Sequence, residues 1–185
     1  MKKIAIIGAG ISGLYLANLL EKEKDLDYKI FEKRSKLNLE QGYGIQLSVN
    51  SIKLLNKIGF KNISASDIFF PTKVNFFKSN NLNKICDIDL TQFNDDLNRY
   101  TTTKRSTLLK FLLENIPKDK IKFNTILKHL GYSNAIKASF TDESEENFDF
   151  LIIADGVFSQ SKLIISTENF KPEYNNSIAL RGNLN

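Results

Sequence analysis

Tryptophan is absent from this 185-residue chain, and cysteine, histidine and methionine occur once each. A single cysteine, Cys86, excludes an internal disulfide framework and a cysteine-based metal site. A single histidine, His129, leaves too few parts for a zinc site or a Ser-His-Asp triad. In Leu127-Lys128-His129-Leu130 it reads as a surface residue near a strand end. No apolar run approaches the roughly twenty residues of a membrane span, so no transmembrane segment is expected. The N-terminus reads as a strand and not as a signal peptide, and the expected setting is the cytoplasm. Charge of one sign is only mildly in excess: 26 basic against 21 acidic residues give +5. The lysines are scattered among asparagines and isoleucines rather than clustered with aromatics. They read as a solvated basic face, and no nucleic-acid partner is expected.

What is present begins at the first residues. Ile4-Ala5-Ile6-Ile7 is a short, β-branched apolar run of the kind that forms a buried parallel strand. Gly8, Gly10 and Gly13 follow with Gly-x-Gly-x-x-Gly spacing, and Leu14, Leu16, Ala17, Leu19 and Leu20 then recur at helical spacing. A second strand, Tyr28-Lys29-Ile30-Phe31, ends on Glu32. Strand, glycine turn, helix, strand and acid within about thirty residues form the dinucleotide-binding fingerprint. Gly8 allows the tight turn. Gly10 has no side chain, so a pyrophosphate can approach the backbone at the helix N-terminus. Gly13 lets the helix pack closely. Glu32 lies where a carboxylate accepts hydrogen bonds from ribose hydroxyls, which favours FAD or NAD over NADP.

The rest of the chain continues the alternation with one interruption. Lys33-Arg34-Ser35-Lys36 is a basic loop. Gln41 to Asn50 places two glycines around Tyr43 before the alternating Ile45 and Leu47, suggesting a short extended segment. Ser48 or Asn50 is expected to cap a helix over 51–58, closed by Gly59. Residues 73–78 and 84–90 read as two strands of an antiparallel hairpin, an insertion spanning about 70–100. Arg105 precedes a helix over 106–115. Strands are expected over 120–127, 136–141 and 148–154, with a solvated acidic turn over 142–146. Asp155-Gly156 follows the last of these, either at a ligand-binding strand end or as a plain turn. A new strand is expected from Ser177 to Gly182.

These segments together resemble the FAD-dependent aromatic hydroxylases typified by p-hydroxybenzoate hydroxylase, with salicylate hydroxylase and the ring hydroxylases of ubiquinone biosynthesis among them. The matching stretches are Gly8-Ala9-Gly10-Ile11-Ser12-Gly13 with Glu32, then Gly42-Tyr43-Gly44-Ile45-Gln46-Leu47-Ser48-Val49-Asn50. Arg105 with Leu108 and Leu112 follows, then Asp155-Gly156-Val157-Phe158-Ser159. The resemblance implies an α/β fold: a Rossmann-like FAD-binding βαβ domain of the glutathione-reductase type, truncated, with an inserted antiparallel hairpin lobe. All 185 residues would then form the N-terminal part of an FAD-binding domain, with about 173–185 starting a strand of the substrate domain. The implied cofactor contacts are Gly8, Ala9, Gly10, Ser12, Gly13, Glu32, Lys33, Arg34, Gly44, Ile45, Arg105, Asp155 and Gly156. Two departures stand out. Lys162 replaces the arginine usual seven residues after the Asp of Asp-Gly, keeping the charge without the bidentate fork. The later Gly-Asp motif of the family has no counterpart.

The resemblance further implies a flavoprotein monooxygenase. NAD(P)H reduces FAD, and a flavin hydroperoxide then transfers one oxygen atom of O2 to an aromatic or quinone-precursor substrate. The hard chemistry belongs to the cofactor, which accounts for the lack of a nucleophile or metal cluster in the sequence. Two other readings stay open: an FAD-dependent oxidoreductase of another class, and a truncated, non-catalytic nucleotide-binding domain.

Overall fold

A computed structural model describes residues 1–40, 43–166 and 173–178. In chain order the strands and helices are β1 (Lys2–Ile7), α1 (Ile11–Leu20), β2 (Leu26–Phe31), β3 (Gly44–Leu47), α2 (Val49–Asn56), β4 (Ile68–Phe69), β5 (Lys73–Phe77) and β6 (Lys84–Asp89). There follow β7 (Thr101–Lys104), α3 (Arg105–Glu114), β8 (Ile121–Lys122), β9 (Leu127–Tyr132), β10 (Ile136–Phe140), β11 (Glu145–Phe148), β12 (Phe150–Ile153) and α4 (Lys162–Ile165). The chain divides into two compact units. Among the described residues, one comprises Met1–Leu39 with those between Leu112 and Ile178, and the other Glu40–Phe111.

The first unit is built on a parallel sheet in the order β12-β1-β2-β8. Ile4 to Ile7 of β1 face Tyr28 to Phe31 on one side and Phe150 to Ile153 on the other. A parallel strand flanked on both sides must be apolar on both faces, and Ile4-Ala5-Ile6-Ile7 is buried throughout. Ala5 and Ile7 point into a cluster with Phe31, Leu127, Leu130, Ala138, Phe140 and Phe148, so the antiparallel meander β9-β10-β11 covers that face. Phe31 stacks on Phe140 at 4.1 Å between centroids and meets Phe148 edge-on at 5.8 Å. On the other face, Ile6 lies against Gly13 of α1, and Leu14, Ala17 and Leu20 are buried.

The second unit holds a small antiparallel sheet, β3-β7-β4, and a separate ribbon, β5-β6. Ile52 and Leu55 of α2, with Ile58 and Phe60 beyond it, are among its buried apolar side chains. Phe60 meets Phe111 edge-on at 5.2 Å. Gly59 adopts φ +97°, the left-handed conformation that turns the chain after α2.

Four expectations are corrected. The strand expected over 120–127 is two strands of different sheets. After Lys122 the amides of Asn124 and Thr125 turn back onto the carbonyls of Arg34 and Glu32, each at 3.0 Å, and Asn124 takes φ +53°. The strand expected over 148–154 breaks at Asp149. Its carboxylate accepts from the Lys3 amide at 2.7 Å and Lys2 Nζ at 2.8 Å, carrying the chain from the meander to the parallel sheet. The helix expected over 51–58 starts at Val49, because Ser48 already holds the extended cap conformation and its carbonyl accepts the Ile52 amide. No side chain caps it; Ser48 Oγ instead pairs with Ser51 Oγ at 3.3 Å. The helix after β7 begins on Arg105 itself. Of the strand expected over 177–182, residues 179–182 lie outside the described residues, as do Gln41 and Gly42, and 173–178 carry no strand. His129 is exposed within β9, opposite Ser139.

Candidate functional site

The three glycines of the first turn have three different surroundings. Gly8 takes φ +107°, donates its amide to Phe31 O at 2.8 Å, and abuts the end of β12. A Cβ there would lie 2.6 Å from Ala154 O and 2.9 Å from Asp155 Cα. A Cβ on Gly13 would lie 2.1 Å from Gly8 O, so α1 and the turn touch backbone to backbone. Gly10 is unlike either. Its backbone is ordinary extended chain (φ −80°, ψ −176°), and the nearest atom to a Cβ would be Ala154 O at 3.9 Å. Two glycines are therefore required by the fold. The third leaves open space that the fold does not use.

That space lies at the N-terminus of α1. The first helical hydrogen bond runs from the Leu14 amide to Gly10 O at 2.9 Å, so the amides of Ile11, Ser12 and Gly13 have no intrahelical acceptor. No side chain caps this end, and no acid sits in the first turn. The partial positive charge of the helix end is thus left to an anion from outside the helix.

Glu32 is buried, and both carboxylate oxygens are engaged by backbone: one accepts the Ala9 amide at 2.9 Å, the other the Arg34 amide at 3.0 Å. The acid at the end of β2 therefore fixes the glycine turn and its own loop together. Each oxygen retains acceptor capacity for a further donor. Lys33 and Arg34 are exposed beside it.

At the end of β12, Asp155 Oδ2 accepts the Ser161 amide at 3.2 Å, which folds residues 155–161 into a loop, while the buried Oδ1 has no partner. Gly156 takes φ +85° with nothing near its missing Cβ. An open cleft of about 510 Å³ is lined by Ser12 and Leu16 of α1 and by Ile152, Asp155, Gly156, Ser159 and Lys162, among others. Ser12 and the segment carrying Asp155, Gly156 and Lys162, far apart in sequence, thus share one cleft beside the glycine turn. Free helix-end amides, an unfilled Gly10, a buried acid with spare acceptor capacity and an unpaired aspartate oxygen have the chemistry to suit the phosphate-and-ribose part of a dinucleotide. Gly44, Ile45 and Arg105 belong to the second unit. There Gly44 and Ile45 pair with Lys104 and Thr103, and the Arg105 amide donates to Tyr43 O at 3.1 Å.

Two residues escape a reading by sequence. Asn18 is buried in α1 at a position between apolar neighbours, and a polar residue interrupting that stripe was the available signal. Ser161 is buried against Asp155, and its short spacing from Asp-Gly carries no signal of its own. Among the described residues no group of acidic, histidine and cysteine side chains could hold a metal ion. Three acids of the turn near 142–146 pair instead with lysines: Asp142 with Lys122, Glu145 with Lys137 and Glu146 with Lys29.

Residues 6–39 match the family described as NAD(P)-binding Rossmann-like domain. Monooxygenase asqM of Emericella nidulans is 28% identical over 179 residues, covering 88% of this chain and 40% of that protein. FAD-dependent monooxygenase dpfgE of Gibberella zeae is 25% identical over 167 residues, covering 86% and 35%. Among solved structures, Klebsiella pneumoniae HpxO complexed with FAD and uric acid superimposes with a TM-score of 0.70 at 22% identity, covering 84% of this chain and 39% of that one. The chain spans two fifths or less of the length of the curated relatives it matches. It has the Rossmann-like α/β fold, and over most of its length it is similar in sequence to proteins named as FAD-dependent monooxygenases.

Proposed function

We propose that this chain binds FAD and forms the cofactor-holding part of an NAD(P)H- and O2-dependent monooxygenase acting on a small aromatic or quinone-precursor substrate in the cytoplasm. The observation that carries the reading is the unfilled space at Gly10 in front of the free amides of α1. In this reading the backbone of Gly8, Ala9, Gly10, Ser12 and Gly13 cradles the pyrophosphate. Glu32 uses its spare acceptor capacity on the ribose hydroxyls, and a buried acid there disfavours a phosphorylated ribose. Lys33 and Arg34 flank the same phosphates and ribose. Asp155 and Gly156 close the other side of the cradle, and Lys162 adds a positive charge to the cleft. Gly44, Ile45 and Arg105 are further cofactor contacts, by the family resemblance of their segments. When bound, FAD supplies hydride acceptance and oxygen activation, and the residues of this chain bind, orient and shield it. Residues 70–100 are then the lobe added to the cofactor domain, and 173–185 lead into the substrate domain.

An absorption spectrum of the purified protein, followed by titration with FAD and with NADH, tests the proposal. Bound flavin, or saturable FAD binding with NADH bound far more weakly, supports it. Tight NADH binding with FAD ignored would assign the cradle to a nicotinamide cofactor, and binding of neither would remove the dinucleotide from the account. NAD(P)H-driven oxygen uptake by the flavin-loaded protein then separates a monooxygenase from other flavin oxidoreductases.

A further inference from the structure

Asn18 stands in the second turn of α1, 4% exposed, beside the buried Leu14 and Ala17. Its Nδ2 donates one proton to Leu14 O at 2.9 Å, one turn back in the same helix. The other goes to Leu112 O at 2.7 Å, in the last turn of α3. Carbonyls in a last helical turn lack an intrahelical donor, so the Asn18 amide completes the end of α3. The orientation of the amide follows from the contacts: reversed, it would set Oδ1 against two carbonyl oxygens. Leucine is a better helix former and suits an apolar position. Packing alone therefore does not explain an asparagine.

A directed polar contact between buried surfaces sets register, because sliding or rotating one helix removes it. The helix it fixes here is the one whose first turn carries the free amides and Gly10. α1 is thus held twice: ahead of its first turn by Glu32 through the Ala9 amide, and toward its C-terminal end by Asn18 through Leu112. We propose that Asn18 is a positioning residue for the bound dinucleotide: it locks α1 in register on the end of α3 and so holds the glycine cradle where the pyrophosphate binds. The inference rests on the FAD reading above. A cradle of backbone amides tolerates little misplacement, so the lock has a binding consequence apart from stability.

The test compares Asn18→Leu with Phe140→Leu, a core change on the opposite face of the sheet chosen as a matched loss of thermal stability. Two quantities are read: the FAD dissociation constant, and the NMR shifts and hydrogen exchange of the residue 9–14 amides in flavin-free protein. The expected result is at least a tenfold weaker FAD constant in Asn18→Leu, with shifted, faster-exchanging amides over 9–14. Phe140→Leu should leave both near wild type. Equal effects of the two variants on FAD binding, or unmoved amides in Asn18→Leu, would overturn the proposal. If Asn18→Leu does not fold, Asn18→Gln, which keeps both donors on a longer arm, is read by the same two measurements with an intermediate effect expected. If the wild type itself ignores FAD, the cofactor reading fails, and the amides of the flavin-free protein still decide whether Asn18 positions the turn.

Discussion

β1 and β6 are both six-residue strands, and their surroundings are opposite. In β1 four consecutive residues are buried, with the meander on one face and α1 on the other. In β6 all six are exposed, and so are Phe76 and Phe77 of its partner β5. The ribbon is nonetheless amphipathic. Val74 faces Ile88 and Phe76 faces Cys86 on one side, while Lys73 faces Asp89 and Asn75 faces Asp87 on the other. A two-stranded ribbon is marginal by itself, so its apolar face contributes little to folding as described. The contrast places stability in the first unit, and the glycine turn is part of that rigid region. Backbone contacts at Gly8 and Gly13 connect it to β12 and α1, which is what a site needing fixed amides requires.

The contrast is broken most severely at Gly13. Gly13→Val would put a side chain 2.1 Å from the Gly8 carbonyl, and overpacking of backbone on backbone should cost about 3 kcal/mol or more. Chemical denaturation should show a first unit unfolded or close to it. Next come two phenylalanines of opposite setting. Phe31→Ala removes a ring stacked on Phe140 and edge-on to Phe148 and should cost about 3–5 kcal/mol, whereas Phe76→Ala on the exposed ribbon should stay within about 0.5 kcal/mol. Equal losses at the two positions would mean the ribbon is packed as firmly as the core.

Glu32→Ala has a smaller effect of two kinds. It leaves the Ala9 and Arg34 amides without their acceptor, worth about 1–3 kcal/mol of stability for a buried unsatisfied group, and it also removes the proposed ribose partner. Thermal melts and FAD titration should therefore both move, and a variant that loses flavin with an unchanged melt would mean the turn does not lean on this acid. The smallest effect is electrostatic. A hydrogen bond from Lys120 holds the Asp27 carboxyl below the usual carboxylate range, Lys122 and Ser144 do the same for Asp142, and Lys2 with the Lys3 amide for Asp149. A carboxyl with a lowered folded-state pKa stabilises above its unfolded value, near pH 4, and that contribution fades as pH falls through the lower folded value. Melting temperature should accordingly fall below about pH 4, and Lys120→Met should shrink the fall.

The parallel β1-α1-β2 unit was legible because each step leaves a local mark: β-branched residues, glycine spacing, helical periodicity and a terminal acid. The hairpin at 73–89 and the Asp155-Gly156 turn were legible for the same reason. The meander was misread at its joints, since the breaks at 123–126 and Asp149 depend on distant partners, Glu32, Arg34 and Lys3, that no local pattern reveals. At the site, sequence marked Glu32 as a ligand acceptor but not as the clamp on Ala9. The register tie of Asn18 to Leu112 spans 94 residues, and the orphan oxygen of Asp155 appears only once the loop to Ser161 is closed.

The central claim is that the space in front of Gly10 is reserved for a dinucleotide pyrophosphate, and Gly10→Val addresses it most directly. The backbone there is ordinary extended chain and the nearest atom to an added Cβ is Ala154 O at 3.9 Å, so the variant should fold, with a loss of about 1 kcal/mol for valine at the N-cap. FAD titration should then show binding to the wild type and none, or at least a hundredfold weaker binding, to the variant. An unchanged FAD affinity in a folded Gly10→Val protein would contradict the account and move the cofactor elsewhere.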